Sequence, residues 1–371
     1  MGLHGSSTTP VILHDVKVPA DAVLGEVGKG HKVAFNVLNF GRFKLGAMCS
    51  GGGRASIGES ARYAATRKQF GVPIATFGAI KHKLGEMIAR EFALESMMYR
   101  TAGLIDAYVQ ASGQAHTDGR PMLQALEEFA VEASIAKVLG SEVVDFIVDE
   151  NVQIHGGNGF VRDYDAERHY RDARVNRIFE GTNEINRLLI PGMLVRRAVA
   201  GKLGLLPAAQ ALMDEVLSPS LPSLEDEDAV LAGEVRLLRN AKKVALMVLG
   251  TAAQKYMMAL AEQQEVLLGA ADIIMDVYAM ESAILRAQKL AAGRGEEEAA
   301  LHLDMTRVFC NDAVGRIEAA ARDTLAAMSE GDELRTLLAA LKRFTKNTPI
   351  NTVAARQRVA DAMIRANKYI Y

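Results

Sequence analysis

The chain has no tryptophan, two cysteines and nine prolines in 371 residues. Cys49 and Cys310 stand far apart and belong to no CxxC or Cys/His cluster. A disulfide framework and a structural metal site are therefore both unexpected, and no metal is assigned. An excess of charge is missing too: 43 basic residues face 45 acidic ones, a formal charge of -2. That balance argues against nucleic acid as a partner, because phosphate binding draws on a basic surface. No run of about 18 uninterrupted apolar residues occurs, so no membrane-spanning helix is expected. The opening MGLHGSSTTP carries neither a charged-then-apolar signal pattern nor an arginine-rich amphipathic one, and a cytoplasmic protein is the plain expectation.

What the sequence does have is helix-forming residues. Alanine, leucine, methionine, glutamate and arginine recur throughout, and nearly half the chain is apolar, which suits an all-α fold with a sizeable core. Residues 9–24, TPVILHDVKVPADAVL, read instead as one or two short strands, too few to close a sheet. From about Gly28 to Arg67 the spacing predicts a helix, with Val33, Val37, Phe40 and Lys44 on one stripe. Three consecutive glycines, Gly51 to Gly53, would each weaken it by roughly 1 kcal/mol, so a close neighbouring backbone is expected there. A second helix is predicted from about Phe77 to Val109, with Ile80, Leu84, Ile88, Met98 and Ile105 inward. A polar linker follows at 111–121. A third long helix reads from about Leu123 to Val152, and shorter ones near 163–173 and 183–200. The stretch 203–227, with its prolines and the acidic run EDED, marks a boundary, beyond which helices continue to the end. Short loops make antiparallel bundles the natural architecture. The divisions are a β remnant at 1–27, a helical bundle at 28–202 and a second helical domain at 203–371.

The chemistry-bearing residues concentrate between Gln153 and Arg187. In QIHGGNGF, Gly156, Gly157 and Gly159 either end a helix in a sharp turn or let backbone N–H groups approach an anion such as a pyrophosphate. In RIFEGTNEINR, Glu180 sits between Phe179 and Gly181, where partial desolvation would make a carboxylate a better base. Thr182 or Asn183 can equally be read as the cap of the next helix.

QIHGGNGF followed by RIFEGTNEI resembles the acyl-CoA dehydrogenase family. The upstream ARYAATRKQFGVPIATFGAIKHKLGEM resembles that family's R-x-x-F-G region, and MGLHGSSTTPVILHDVKVPADAVLGEVGKG resembles the end of its middle β-domain. Agreement spans roughly residues 1–200 in order. The region beyond, with DVYAMESAILRA, resembles the additional C-terminal domain of the very-long-chain branch. The resemblance implies α,β-dehydrogenation of a long-chain acyl-CoA to its trans-2-enoyl-CoA. Glu180 takes the α-proton and FAD takes the hydride. It assigns FAD contacts to Arg67, Phe70, Gln153, Gly156, Gly157, Thr182, Asn183 and Glu184, with Gln153 and Gly157 reaching from a neighbouring subunit. Asn39, Arg42 and Gly181 are assigned to the acyl-CoA. It implies electron-transferring flavoprotein as electron acceptor, a homodimer or homotetramer, and peripheral membrane contact through the second helical domain. In a eukaryote the compartment would be the mitochondrial matrix or inner membrane. Gly78 departs from the glutamine of many relatives, and Pro191 and Gly192 stand where several have an arginine. His82 and His155 read as surface or packing residues.

A full family member also has an N-terminal helical domain and most of a β-domain ahead of the equivalent of Met1, so this chain is expected to need that part for activity. The competing expectation is a non-catalytic helical module for oligomerisation or partner binding. The catalytic reading fails if the Glu180 side chain points into bulk solvent, far from any groove shared with Arg67 and the glycine turn.

Overall fold

The computed structural model describes residues 1–113, 119–217 and 229–371. The expectations for 114–118 and 218–228, including the acidic run, lie outside the described residues. Helices α1 (Gly30–Thr66), α2 (Gly78–Ala111), α3 (Arg120–Glu128), α4 (Ala130–His155), α5 (Asp165–Ala173) and α6 (Asn183–Val199) form the first half. The second half holds α7 (Leu205–Leu217), α8 (Ala232–Tyr256), α9 (Gln264–Arg294), α10 (Glu296–Met328), α11 (Gly331–Phe344) and α12 (Thr352–Ala366). The all-α expectation is met. Among the described residues the β-structure is one hairpin, β1 (Lys68–Gln69) antiparallel to β2 (Val72–Pro73). Its turn residues Phe70 and Gly71 both have positive φ, 54° and 85°, as a tight hairpin of this twist requires.

The strands expected over 9–24 do not form. Val11, Ile12 and Leu13 are 77–86% exposed, and an extended segment without a pairing partner has nothing to hold it. The expected stripe of Val33, Val37 and Phe40 is exposed as well. The single third helix divides at Phe129 (φ -94°, ψ 25°) into α3 and α4. Within the expected boundary at 203–227 lies helix α7.

α1 and α4 run parallel, with α2 antiparallel to both. Ser60 donates to Asn151 at 2.6 Å and Arg54 to Glu95 at 2.6 Å. The close backbone approach occurs at Gly46, where an added Cβ would meet the Ala136 carbonyl oxygen at 2.7 Å. It does not occur at the glycine triplet. Gly51 faces open space, and Gly53 makes room for a carboxylate, that of Glu91, 2.5 Å from where its Cβ would stand.

The proposed boundary near 203 does not separate two cores. Leu84, Phe92 and Val138 share one continuous apolar core with Met247, Ile273, Met280, Ala313 and Leu325. Ion pairs cross the same seam: Arg187 to Asp272 at 2.8 Å and Arg356 to Glu86 at 2.5 Å. α12 is seated directly on α2, since a Cβ at Gly85 would stand 2.7 Å from the Arg356 carbonyl oxygen. The segment Ala232–Glu262 is long and apolar enough to cross a membrane by length and composition, contrary to the expectation from uninterrupted runs. Here Leu237, Leu238, Val244, Met247 and Val248 of that segment lie in the shared core.

Candidate active site

Glu180 stands in the connection that precedes α6, and its backbone is unusual. Glu180 and Gly181 are both left-handed, at φ 59° and 81°. A side-chain-bearing residue in that region is disfavoured and persists only where its surroundings enforce it. Two side chains do so. Arg42 Nε donates to the Glu180 carbonyl at 3.2 Å. Asn186 Nδ2 faces the carbonyls of Glu180, Gly181 and Thr182 at 3.4, 2.9 and 3.0 Å. Thr182 caps α6, its hydroxyl accepting from the Ile185 N–H at 3.4 Å, so the capping reading holds for Thr182.

This backbone aims the carboxylate across α1 at Gly41. A Cβ there would lie 2.6 Å from Glu180 Cδ and 2.7 Å from Oε1. Gly41 thus leaves the volume that the carboxylate fills. Glu180 is half-buried, with Ile178 and Phe179 exposed beside it. Among the described residues no acceptor takes the Glu180 N–H, which leaves a backbone donor free.

The three residues assigned to acyl-CoA surround this loop. Arg42 is buried, and its Nη1 donates to Asn39 Oδ1 at 3.0 Å. Burial lowers the Arg42 pKa and the nearby Glu180 charge opposes that shift. The Asn39–Arg42 pair therefore braces the Glu180 carbonyl, a role the sequence did not reveal. Asn183 needs a correction. Its side chain is buried, with Oδ1 accepting from Lys137 at 2.6 Å and Nδ2 donating to Ser141 and Glu142, both at 3.0 Å. Those bonds point inward and leave the side chain unavailable to a flavin. Glu184 is exposed, and hydrogen bonds from its own N–H and from Thr182 hold its carboxyl low.

Arg67, Phe70, Gln153, Gly156 and Gly157 gather elsewhere, around the C-terminal ends of α1 and α4. Tyr63 stacks on His155 with ring centroids 4.0 Å apart and donates to its carbonyl at 3.2 Å. His155 is thereby a packing residue. Gly156 has φ 58°, and open space surrounds both Gly156 and Gly157. Phe70 is 87% exposed and meets Phe77 edge-on at 6.2 Å. Phe77 N-caps α2 without a side-chain hydrogen bond, so first-turn N–H groups remain open to an anion. Arg67 and Gln153 are exposed.

Helix α1 separates the two groups. Glu180 packs at Gly41 and Arg67 caps the far end of α1; at 1.5 Å per residue they are about 39 Å apart. The expected groove joining Glu180 with Arg67 and the glycine turn within one chain is therefore not there. The catalytic reading does not fail on the first count, since the Glu180 side chain is sheltered.

Sequence reasoning missed Gly41, Lys137 and Asn186. Lys137 carried a signal: it lies four residues from both Ala133 and Ser141, on the inward face of an apolar helix where a lysine is rare. A cleft of about 910 Å³ also opens between α2, α4, α10 and α12, lined by Lys83, Glu86, Arg90, Asp312, Arg316 and Arg356 among others. Its charges are paired with one another, for example Lys83 with Glu150 at 2.5 Å and Arg90 with Glu86 at 2.8 Å. None of its lining residues touches Glu180.

Two family models, both described as acyl-CoA dehydrogenase, C-terminal domain, match residues 28–193 and 240–343. A probable acyl-CoA dehydrogenase of Bacillus subtilis (strain 168) is 46% identical over 370 residues, covering 100% of this chain and 62% of that protein. The mitochondrial very long-chain specific acyl-CoA dehydrogenase of Rattus norvegicus is 42% identical over 190 residues, 51% of this chain and 26% of that protein. A crystal structure of an acyl-CoA dehydrogenase complexed with FAD from Bacillus anthracis superposes with a TM-score of 0.93 at 46% identity. It covers 97% of this chain and 61% of that one. The chain thus spans less than two thirds of the relatives it matches. With family models matching residues 28–193 and 240–343 on both sides of residue 203, this chain belongs to the acyl-CoA dehydrogenase family.

Proposed function

We propose that the chain supplies the proton-abstracting base and part of the flavin site of a long-chain acyl-CoA dehydrogenase, converting a saturated acyl-CoA to its trans-2-enoyl-CoA. One observation carries the reading. Glu180, in an enforced left-handed conformation, presents its carboxylate in a slot that only a glycine at position 41 leaves open.

The chemistry follows from that geometry. The α-proton of a thioester is weakly acidic, so removal needs a positioned base and a stabilised enolate. The Glu180 carboxylate takes the proton, while its unpaired backbone N–H is a donor for the thioester oxygen. Ile178 and Phe179 give the site an apolar wall, which reduces water around the base. A bound FAD would supply the hydride acceptor for the β-carbon, leaving the proton at the α-carbon to Glu180. The distal cluster fits the phosphate-bearing part of such a cofactor: Arg67 offers a forked donor, Gly156 and Gly157 let backbone approach, and the first turn of α2 has open N–H groups.

Because about 39 Å of helix separates base and phosphate cluster, the two serve different flavins, and the working unit is a homodimer or larger. The relation to the very long-chain specific enzyme supports a long acyl chain. Electron-transferring flavoprotein is the acceptor that goes with this reaction. Met257 and Met258, 75% and 97% exposed at the turn after α8, support peripheral membrane contact. Nothing in the site favours the non-catalytic alternative, since a mere oligomerisation module has no use for a strained glutamate.

The test is anaerobic reduction by palmitoyl-CoA of the FAD-loaded protein joined to the N-terminal part that the family resemblance makes necessary for activity. Wild type is expected to lose its flavin absorbance on mixing. E180Q, nearly isosteric, should keep the fold and the flavin while slowing reduction by about 10²- to 10⁴-fold. Reduction by E180Q at the wild-type rate removes Glu180 as the base.

A further inference from the structure

We infer that Lys137 is a positioning residue for the Glu180 loop: its buried ammonium orients the Asn183 amide and so fixes the first turn of α6, three residues beyond the base. The inference rests on Glu180 being that base.

Lys137 is fully buried in α4. A charge in such a place is costly unless paired, and an apolar residue of similar size would pack there at no such cost. Among the described residues no carboxylate lies within ion-pair distance of it. Its hydrogen-bond acceptor is the neutral Asn183 Oδ1, 2.6 Å away. An ammonium has three donors and no acceptor, so it dictates which end of the amide faces it. With Oδ1 turned to Lys137, Nδ2 turns to Ser141 and to Glu142 Oε1, each at 3.0 Å. Glu142 is in turn tied to Arg187 at 2.7 Å. Arg187 and Asn183 both belong to α6, so the network clamps the start of that helix to α4.

The loop is then held from two sides. Arg42 and Asn186 hold the carbonyls of residues 180–182, while Lys137 and Asn183 hold the helix into which those residues lead. Glu142 still accepts from Nδ2 when the ammonium is removed, but Oδ1 loses its charged donor. The amide is then anchored to α4 from one end only and the first turn can shift, which displaces the carboxylate.

The charged and titratable groups facing Lys137 are Arg42 and Cys49 on α1, Glu142 on α4 and Glu184 on α6. Burial pulls the Lys137 pKa from 10.5 down to about 8, while the Cys49 thiol is pushed up to about 12 and stays protonated across that range. Between those two lysine values the unfolded chain binds more protons than the folded one, so stability rises with pH. Activity, which needs the ammonium, falls over the same interval. Opposed slopes would not arise from a lysine that merely packs.

The experiment measures kcat, KM and Tm from pH 6.5 to 10 for FAD-loaded wild type, K137M and E180Q, each joined to the N-terminal part needed for activity, with palmitoyl-CoA and an artificial one-electron dye as oxidant. Expected is an alkaline fall in wild-type kcat centred near about 8, accompanied by rising Tm. K137M should lose both features and show kcat lowered on the order of 10- to 100-fold with KM little changed. If K137M does not fold, the wild-type profile decides: a kcat that stays level to pH 9.5 overturns the inference. So does a folded K137M with wild-type kcat, in which case E180Q, if inactive, leaves the base assignment standing. An active E180Q overturns both.

Discussion

At the scale of single residues the site is a matter of volumes and carbonyls. The carboxylate of Glu180 occupies space that any other residue at position 41 would claim. Gly41→Ala therefore sets two effects against each other. Helix propensity favours alanine by about 1 kcal/mol, whereas forcing a methyl group into an occupied slot costs about 1–3 kcal/mol. We expect Tm to change little or fall slightly, and kcat to fall on the order of 10- to 100-fold as the base is pushed out of line. Thermal melts beside steady-state rates check this, and an alanine variant with full activity would show that the slot is not needed. Glu180 stands out in the sequence only through the resemblance carried by QIHGGNGF and RIFEGTNEI, since its neighbours alone favour a helix cap. The residues that hold it do not stand out. Arg42 and Asn186 act on main-chain oxygens 138 and 6 positions away, and no local pattern announces which carbonyl a side chain will reach.

At the scale of helices, apolar spacing predicted the inner faces of α2 and α4 well, because Leu84, Ile88, Val138 and Ile147 follow the helical period and all are buried. It failed where one residue interrupts a long pattern. Phe129 leaves the helical region, so α3 and α4 part there, although propensity alone would have run them together. α7 was hidden by Pro207, which sits in the first turn, where a missing N–H costs nothing. Contacts between helices were less legible still. The glycines at 51–53 suggested a backbone contact, whereas Gly53 accommodates the fully buried Glu91. Ser50 donates to Glu91 Oε1 at 2.5 Å, and Oε2 has no partner. Burial raises this carboxyl well above the ordinary carboxylate range. The folded state thus holds its proton longer than the unfolded chain does, and wild-type stability falls as pH rises from about 4.5 towards the raised value. E91Q, neutral throughout, should lack that part of the slope. Its Tm advantage over wild type is expected to grow from pH 4.5 to 8, and an advantage independent of pH would mean Glu91 is ionised in the fold.

At the scale of the whole molecule, the sequence suggested two helical domains, and the structure has one core built from both. The division came from composition around residue 203, but burial depends on what packs from afar: α9 and α12 lie against α2 and α6 through Arg187, Asp272, Arg356 and Glu86. The segment at 9–24 pairs with nothing among the described residues, since a strand is defined by a neighbour that no single stretch can reveal. α1 has a larger consequence. If one chain's Glu180 works with another chain's Arg67, each defect can be cured by the other. E180Q and R67A proteins should each be inactive by themselves. Unfolded together in equal amounts and refolded, they should regain about one working centre in four, as random pairing of a two-fold dimer dictates. A 37-residue rod would then have made heredity at this locus partly forgiving, with two broken alleles able to compose a sound enzyme that neither encodes.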